Sequence, residues 1–392
     1  MPEHPTSDEL GLTREPSLSE LAFVFLKLGT ISFGGPAAHI AMMENEFVRK
    51  RRWITESDFL DRLAAANLIP GPSSTEVAIF IGHSKCGWAG LLVAGCCFII
   101  PAALMVGMIA AIYVRFGSLP QVAGILYAIK PAVIAIILQA LWGLARTATK
   151  SKTLAAIGVI SIVLSALGIA PLIVLAIAGI ASGAVVSIGQ RERGALFTVP
   201  SSGRLALLLG APAAVAIVPV SLLRLFLSFL KIGSVVFGSG YVLLAFLRSE
   251  FIHHLHWLTE KQLIDAVAVG QFTPGPVFTT ATFIGYLVAG IPGAVVATLG
   301  IFLPGFLLVA VSGPLVPRLR HSPMAGAILD GIVVGSLALM AVVACQLGWA
   351  AIIDWLTGLI FVASAVALFR FRLNSAWLVG GAALIGLVAK LK

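Results

Sequence analysis

The sequence predicts an all-α polytopic membrane protein with two homologous repeats of opposite orientation, each containing a helical hairpin broken at Pro-Gly-Pro. Three observations predict this fold: an apolar composition, an internal repeat, and helix breaks at matching positions. Hydrophobic residues make up 59% of the chain and charged residues 11%, whereas soluble domains are about 25% charged. Glycine and proline, which number 40 and 20, are commoner in membrane helices than in soluble ones. A soluble enzyme, a disordered chain and a disulfide scaffold are therefore excluded.

An internal repeat divides the chain into two halves. Phe25-Leu-Lys-Leu-Gly29 recurs as Phe229-Leu-Lys-Ile-Gly233, and this offset of 204 holds without a gap for about fifty positions. It also pairs Trp53-Ile-Thr-Glu56 with Trp257-Leu-Thr-Glu260, and Pro70-Gly-Pro72 with Pro274-Gly-Pro276. The predicted organisation is an acidic tail (1–18), a first repeat (19–190), a linker (191–218) and a second repeat (219–392).

Each half predicts the same series of helices. In the first half, a long helix over 21–47 precedes a shorter stretch, 56–81, that is broken at Pro-Gly-Pro. Apolar spans follow at 88–113, 120–145, 153–167 and 170–188, and the second half repeats the series at 221–251, 260–286, 291–316, 325–347, 351–369 and 375–391. The apolar stretch 205–218 is short and interrupted, so it is compatible with a span, an interfacial helix or a linker.

The positions of Lys and Arg predict opposite orientations for the two halves. Basic clusters of membrane proteins favour the cytoplasm, which here places inside Arg146/Lys150/Lys152, Arg191/Arg193/Arg204, Arg318/Arg320 and Arg370/Arg372. A re-entrant 56–81 also places Arg49–Arg52 inside, whereas a spanning 56–81, combined with a spanning 205–218, places that segment outside. Both schemes put the C-terminus outside and leave the repeats inverted.

The breaks in the helices are the predicted substrate site. In transporters with inverted repeats, the site lies near the membrane midplane on helices interrupted by Gly and Pro. A helix whose first residue is Pro72 or Pro276 exposes N–H groups at the break and carries roughly half a positive charge there, which favours an anion. The alternative is a pair of kinked helices without a ligand. The predicted substrate-binding residues at the breaks are Gly34, Gly35, Pro70, Gly71, Pro72, Ser73, Ser74 and Thr75, with Gly238, Pro274, Gly275, Pro276, Thr279 and Thr280 in the second half.

Two lysines occupy the same position in the first helix of each half. Lys27 and Lys231 lie a few residues inside an apolar run, and a buried ammonium costs at least ~2.5 kcal/mol on insertion scales. They are predicted to bind the anion, because two helix N-termini supply only about one positive charge. Snorkelling of the long side chains to the interface is the alternative. Lys130, which stands alone in mid-span, is a weaker candidate.

Among the acids, Glu76 is the predicted proton-coupling residue. It lies one turn into the helix that follows the first Pro-Gly-Pro, and its counterpart is Thr280. An acid beside an anion site must be protonated or paired, so the alternative is a fixed pair with Arg62 or Lys27. Asp61 and Asp265 precede the breaks. Thr55 and Thr259 are predicted to be the N-caps of the helices that carry them, so the simpler prediction is that these acids complement helix dipoles.

No cofactor, metal site or nucleic-acid partner is predicted. His253-His254-Leu255-His256 has no ligand set at a suitable spacing beyond Glu250 and Glu260, so a polar interfacial link is favoured. No P-loop, nucleotide fold or nucleophile motif occurs. The chain is therefore predicted to be a transporter in the lipid bilayer and not an enzyme. The sequence leaves the oligomeric state open, a homodimer included.

The duplicated Phe-Leu-Lys-x-Gly-x-x-x-Phe-Gly, the block Glu46-Phe47…Trp53-Ile-Thr-Glu56 and Leu68-Ile-Pro-Gly-Pro72 resemble the long, two-domain form of the chromate ion transporter family. The resemblance implies a carrier of the bacterial inner membrane that expels chromate, driven by the proton gradient as an antiporter, and so confers chromate resistance. Sulfate, a tetrahedral dianion of similar size, is the expected competitor, and sulfate uptake is the alternative function. The second half departs from the first at Ser239-Gly240, so the halves are expected to contribute unequally.

Overall fold

The computed structural model describes residues 15–33, 35–117, 120–191, 220–237, 242–312, 322–371, 373 and 375–391. Over these residues every regular element is helical, as the composition predicts. The predicted acidic tail lies almost wholly outside the described residues, and the apolar stretch 205–218 lies outside them completely.

The first repeat contains seven α-helices. The predicted long helix over 21–47 is interrupted after Ile31: α1 (Leu18–Ile31) is followed by α2 (Gly35–Glu44), which continues as a π-helical turn, Asn45–Lys50. The helices that follow are α3 (Glu56–Ala66), α4 (Ser73–Phe116), α5 (Pro120–Ala148), α6 (Lys152–Ala166) and α7 (Pro171–Arg191).

The second repeat has the same order of elements. They are α8 (Leu222–Val235), α9 (Leu243–Leu247), the π-helical turn Arg248–His254, α10 (Glu260–Phe272), a 3₁₀ turn (Val277–Thr279), α11 (Thr280–Ser312), α12 (Pro323–Ala351), α13 (Trp355–Phe371) and α14 (Ser375–Leu391). Within the described residues, five helices are long and apolar enough to cross a membrane: 73–116, 123–148, 171–188, 277–312 and 323–351. The chain is therefore a multi-pass membrane protein.

The helices α4 and α11 each fold back on themselves. Residues eight apart in a straight helix are about 12 Å apart, yet a Cβ added to Gly82 or Gly90 would overlap the carbonyl oxygen of the other residue. The turn lies at Cys86 and Gly87, where Gly87 has φ +58°. In α11 the same arrangement joins Gly285 to Gly293. The segment that follows each break is consequently a short half-helix packed against a long helix.

The internal repeat extends to the packing of side chains. An aromatic stack in the first repeat has ring centroids 5.1 and 5.5 Å apart, and its counterpart in the second has centroids 4.9 and 6.1 Å apart. The stacks are Phe25–Phe47–Trp53 and Phe229–Phe251–Trp257. Arg52 and His256, which are also equivalent, both adopt a left-handed backbone, with φ values of 53° and 54°. The two repeats therefore share conformation as well as sequence.

The two repeats interlock through their C-terminal helices. Helix α5 of the first repeat packs against α13 and α14 of the second, and α12 of the second packs against α6 and α7 of the first. The folded-back helices α4 and α11 also pack against each other. Because each repeat covers the apolar faces of the other, the largest apolar core contains residues of both repeats. This exchange brings the two breaks into contact with the opposite repeat.

Candidate functional site

The two Pro-Gly-Pro breaks are held by reciprocal hydrogen bonds between the repeats. The Gly71 amide donates to the carbonyl oxygen of Val236 over 2.7 Å, and the Gly275 amide donates to that of Ser32 over 2.9 Å. Gly71 and Gly275 are equivalent positions, as are Ser32 and Val236. Each break is thus fastened to the end of the first helix of the other repeat.

The glycine of each break occupies a position where a side chain does not fit. Gly71 has φ +139° and Gly275 has φ +88°, values that L-residues rarely adopt. A Cβ on Gly71 would overlap the Glu76 carboxyl group. A Cβ on Gly275 would lie 2.5 Å from Cβ of Ala102 and 3.1 Å from the carbonyl oxygen of Gly29, both in the first repeat. Glycine therefore permits the close approach at both breaks.

The half-helices begin slightly later than the sequence predicts, because Pro72 is the N-cap of α4 and the 3₁₀ turn Val277–Thr279 precedes α11. In each repeat, one of the N–H groups expected to face the break is already bonded. The Thr75 amide donates to the Pro72 carbonyl over 2.7 Å, and the Thr279 amide donates to that of Pro276 over 3.0 Å. The side chains of Thr279 and Thr280 also donate to backbone carbonyls, to Pro276 and Val277 respectively, each over 2.8 Å. Tight first turns use these groups and leave fewer donors for a ligand.

Glu76 is buried, and no described residue supplies a counter-charge to it. Its side chain has 0% exposure, and neither carboxyl oxygen has a hydrogen-bond partner among the described residues. It lies against Gly71 of its own break and close to Gly305 of α11. The predicted alternative of a fixed pair is wrong for Arg62, which contacts Asp58 at 3.8 Å, and Lys27 forms no ion pair with Glu76 either.

His39, which the sequence analysis did not single out, connects the two breaks. Its Nδ1 lies 3.3 Å from the Ser74 hydroxyl of the first break, and its Nε2 lies 3.1 Å from the Ser32 carbonyl oxygen. That oxygen also accepts the Gly275 amide of the second break. Because a carbonyl can only accept, Nε2 carries the hydrogen and Nδ1 of the neutral ring accepts from Ser74. A single histidine beside a glycine-rich break was the available signal.

We expect His39→Leu to leave the fold intact and lower transport about tenfold. Leucine suits the position, since Leu243 occupies it in the second repeat. It cannot hydrogen-bond to the Ser74 hydroxyl or to the Ser32 carbonyl oxygen, and the loss of such a bond costs about 1–3 kcal/mol for a buried polar group. Flux in vesicles, measured beside the melting temperature, tests this, with His83→Leu as the control because His83 contacts Trp88 and not the breaks. Unchanged flux in His39→Leu would show that the bridge has no part in transport.

Lys27 and Lys231 lie beside acids at the π-helical turns. Lys231 Nζ is 2.7 Å from Glu250 Oε2. Lys27 interacts electrostatically with Glu46, the residue equivalent to Glu250. Although burial raises it, the pKa of Glu46 is lowered overall by Arg51, Lys27 and Lys50. Both lysines are exposed. The structure thus brings neither lysine to a break, and their role in binding an anion stays a prediction.

Asp265 departs from the helix-dipole prediction. It is fully buried and forms an ion pair with Lys130, with Oδ1 2.9 Å from Nζ, while its Oδ2 accepts a 2.9 Å hydrogen bond from the Tyr113 hydroxyl. The predicted caps are confirmed, since Thr55 accepts the Asp58 amide and Thr259 accepts the Gln262 amide. Asp265 is nevertheless buried by tertiary contacts. Its signal in the sequence was an acid within an apolar run.

The remaining predicted positions divide into described and undescribed ones. Gly34 and Gly238 lie outside the described residues. Gly35 begins α2 with φ +78°, and Pro70 and Pro274 precede the two glycines of the breaks. Within the described ranges, no group of three His, Cys, Asp or Glu side chains could hold a metal ion, and His254 lies 3.7 Å from Glu250.

Two interlocked repeats of apolar helices, fastened to each other at broken half-helices, define a membrane transport protein. The chain belongs to the chromate transporter family, which matches residues 19–183 and 223–387 and so covers both repeats. The chain is 34% identical to the chromate transport protein of Cupriavidus metallidurans, over 95% of this chain and 93% of that protein. It is 32% identical to a probable chromate transport protein of Synechococcus elongatus (89% and 90% covered) and 29% identical to the chromate transport protein of Pseudomonas aeruginosa (83% and 79% covered). No solved structure matches it significantly. The predictions of a transporter, of the family and of two repeats are confirmed.

Proposed function

We propose that this chain is a secondary transporter that expels chromate across the bacterial inner membrane and is coupled to the proton gradient. The observation that carries the proposal is Glu76, an uncompensated, fully buried carboxyl group at a helix break that is fastened to the opposite repeat. Relatives named for chromate transport support the substrate. No observation favours sulfate uptake, and sulfate is retained only as the expected competitor for the chromate site.

The breaks supply part of the positive potential that a dianion requires. Each half-helix N-terminus carries roughly half a positive charge, so the two together supply about one. The predicted ligands are the backbone N–H groups after Pro72 and Pro276, together with the hydroxyl groups of Ser73, Ser74 and Thr75. At least one further positive charge is needed, which Lys27 and Lys231 could supply only by leaving Glu46 and Glu250.

Glu76 couples the anion to the proton. A carboxylate buried without a partner is costly in an apolar setting, so the resting group is the neutral acid. An ionised Glu76 would repel chromate, and a protonated one would not. Protonation of Glu76 and binding of the anion therefore influence each other, which is the coupling that a proton-driven carrier requires.

Chromate flux into inverted vesicles tests the function. Because efflux from the cell corresponds to uptake into an inverted vesicle, inverted vesicles should accumulate chromate when a pH gradient is imposed. Excess sulfate should reduce this uptake. Vesicles without the protein provide the background. Uptake of sulfate that chromate does not inhibit would contradict the proposed substrate.

Labelling of introduced cysteines tests the opposite orientation of the repeats. Cysteines at Thr149, Ser202 and His321 should react from the cytoplasm, and a cysteine placed after Lys392 from outside, because basic clusters favour the cytoplasm. The native cysteines, Cys86, Cys96, Cys97 and Cys345, are first replaced by serine or alanine. A cytoplasmic C-terminus would contradict the inverted arrangement. A cysteine within Arg49–Arg52 separates a re-entrant 56–81 from a spanning one.

A further inference from the structure

A buried ion pair joins the two repeats. Lys130 of α5 lies 2.9 Å from Asp265 of α10, and Tyr113 of α4 donates to the second carboxylate oxygen over 2.9 Å. The Asp265 side chain is 0% exposed and that of Lys130 is 13% exposed. Two donors of the first repeat therefore surround one acid of the second.

The buried setting of Asp265 is not repeated in the first half of the chain. Asp61 occupies the equivalent position in α3 of the first repeat, yet it is exposed. Replacing a buried ion pair by apolar groups of similar volume is often neutral or stabilising. Ionisable residues within membrane segments are costly and commonly belong to a substrate or ion pathway. These facts indicate a function for the pair beyond stability.

The donors match the chemistry of the proposed substrate. A carboxylate and a tetrahedral oxyanion both present negatively charged oxygens, and either can accept one hydrogen bond from an ammonium group and one from a phenol. Asp265 thus occupies the place that one edge of an oxyanion would take between Lys130 and Tyr113. If Asp265 moved away without a replacement, a buried ammonium and a hydroxyl would both lose their partner, which is costly.

The cluster contacts the half-helix that follows the second break. The Tyr113 ring contacts the ring of Phe283, with centroids 5.3 Å apart. Phe283 lies seven residues after Pro276, which corresponds to about 10 Å along a helix. An anion that leaves the N-terminus of this half-helix would therefore meet the Tyr113 side of the cluster about two turns further along.

We infer that Lys130 and Tyr113 form a second oxyanion-binding site, in which Asp265 is the resident counter-ion that chromate displaces. This inference rests on the proposed function and deepens it. It also assigns the positive charge that the helix N-termini lack to a residue that is already buried between the repeats. Asp265 then acts as a tethered competitor that limits the affinity for the anion and speeds its release.

A variant that neutralises both Lys130 and Asp265 distinguishes a role in anion binding from a role in folding. The Lys130→Met/Asp265→Asn variant removes the charges together, so it leaves no unpaired buried charge and should fold. We expect its chromate affinity, measured on purified protein by thermal stabilisation, to fall about a hundred-fold or more, consistent with losing a buried charge partner. Lys130→Arg should retain most of the affinity. Wild-type affinity and flux in the double variant would overturn the inference.

Removing Asp265 alone gives an effect of the opposite sign. Asp265→Asn takes away the competitor, so chromate affinity should rise about tenfold while flux in vesicles falls because release is slower. A purely structural ion pair predicts that affinity and flux fall together. Should the double variant fail to assemble, this single variant decides, and a loss of affinity would overturn the inference.

Two controls keep the outcomes distinct. The Lys150→Met/Asp330→Asn variant neutralises a different pair, 2.8 Å apart but largely exposed, and should leave affinity and flux unchanged. Wild-type protein in the same vesicles must transport chromate. If it does not, the proposed function fails. If it does and the Lys130/Asp265 double variant does too, only the second site fails.

Discussion

Replacing Glu76 by glutamine is expected to abolish the stimulation of chromate flux by a pH gradient. Glutamine mimics the neutral acid in size and polarity but cannot release a proton. Since Glu76 is fully buried and has no partner among the described residues, the substitution breaks no ion pair and should preserve the fold. Chromate affinity should stay within about threefold of the wild-type value, well under the tenfold that 1.4 kcal/mol represents.

Flux into inverted vesicles at several imposed pH gradients measures this effect. Glu44→Gln is the matched control, because Glu44 lies outside the breaks and pairs with Arg49 over 2.7 Å. That variant should respond to the gradient as the wild type does. A Glu76→Gln protein whose flux still rises with the gradient would exclude Glu76 as the proton carrier.

Replacing Gly275 by alanine is expected to reduce chromate flux to less than about a tenth. The added Cβ would lie 2.5 Å from Cβ of Ala102 and 3.1 Å from the Gly29 carbonyl oxygen, both of the other repeat. Relief of that overlap must move the break away from α1, which lengthens the hydrogen bond from the Gly275 amide to Ser32. A misplacement of about 1 Å at a binding site can cost about a hundred-fold in rate.

The control for Gly275→Ala separates backbone strain from the contact between repeats. Gly168 also has positive φ, +81°, but no atom lies within 4 Å of a Cβ added there. Gly168→Ala should therefore cost only the left-handed backbone strain, roughly 1–2 kcal/mol, and should retain transport. Melting temperature and flux are measured for both variants. Equal losses of flux would show that strain alone, and not the fit between repeats, explains the effect.

Much of the fold could be predicted from residue type and spacing. The apolar runs, the offset of 204 and the Pro-Gly-Pro breaks predict helices that the structure places within a few residues, including the division of α4 near position 87. The long helix over 21–47 was predicted with a glycine-rich break, and the structure ends α1 at Ile31. These features depend on local chemistry, because proline removes a donor and glycine adopts positive φ wherever they occur.

The partners of the charged side chains could not be predicted. Lys27 and Lys231 are duplicated and so suggested a shared central role, yet Lys231 pairs with Glu250. Asp265 and Asp61 occupy equivalent positions but differ in burial. Equivalent positions in the two repeats are predicted to have the same backbone conformation. Their side-chain partners differ, because each repeat packs against the side chains of the other, and the two repeats differ in sequence.

By itself, the sequence determined the membrane class, the duplication, the helix breaks and the resemblance to the family, because composition and local backbone preferences act within a few residues. Only the tertiary structure decided that each break is fastened to the opposite repeat, that His39 joins the two breaks, and that Lys130 meets Asp265. These contacts join residues far apart in the chain. They depend on how the apolar faces of two interlocked repeats cover each other, and hydrophobic burial is non-directional and specifies no particular polar partner.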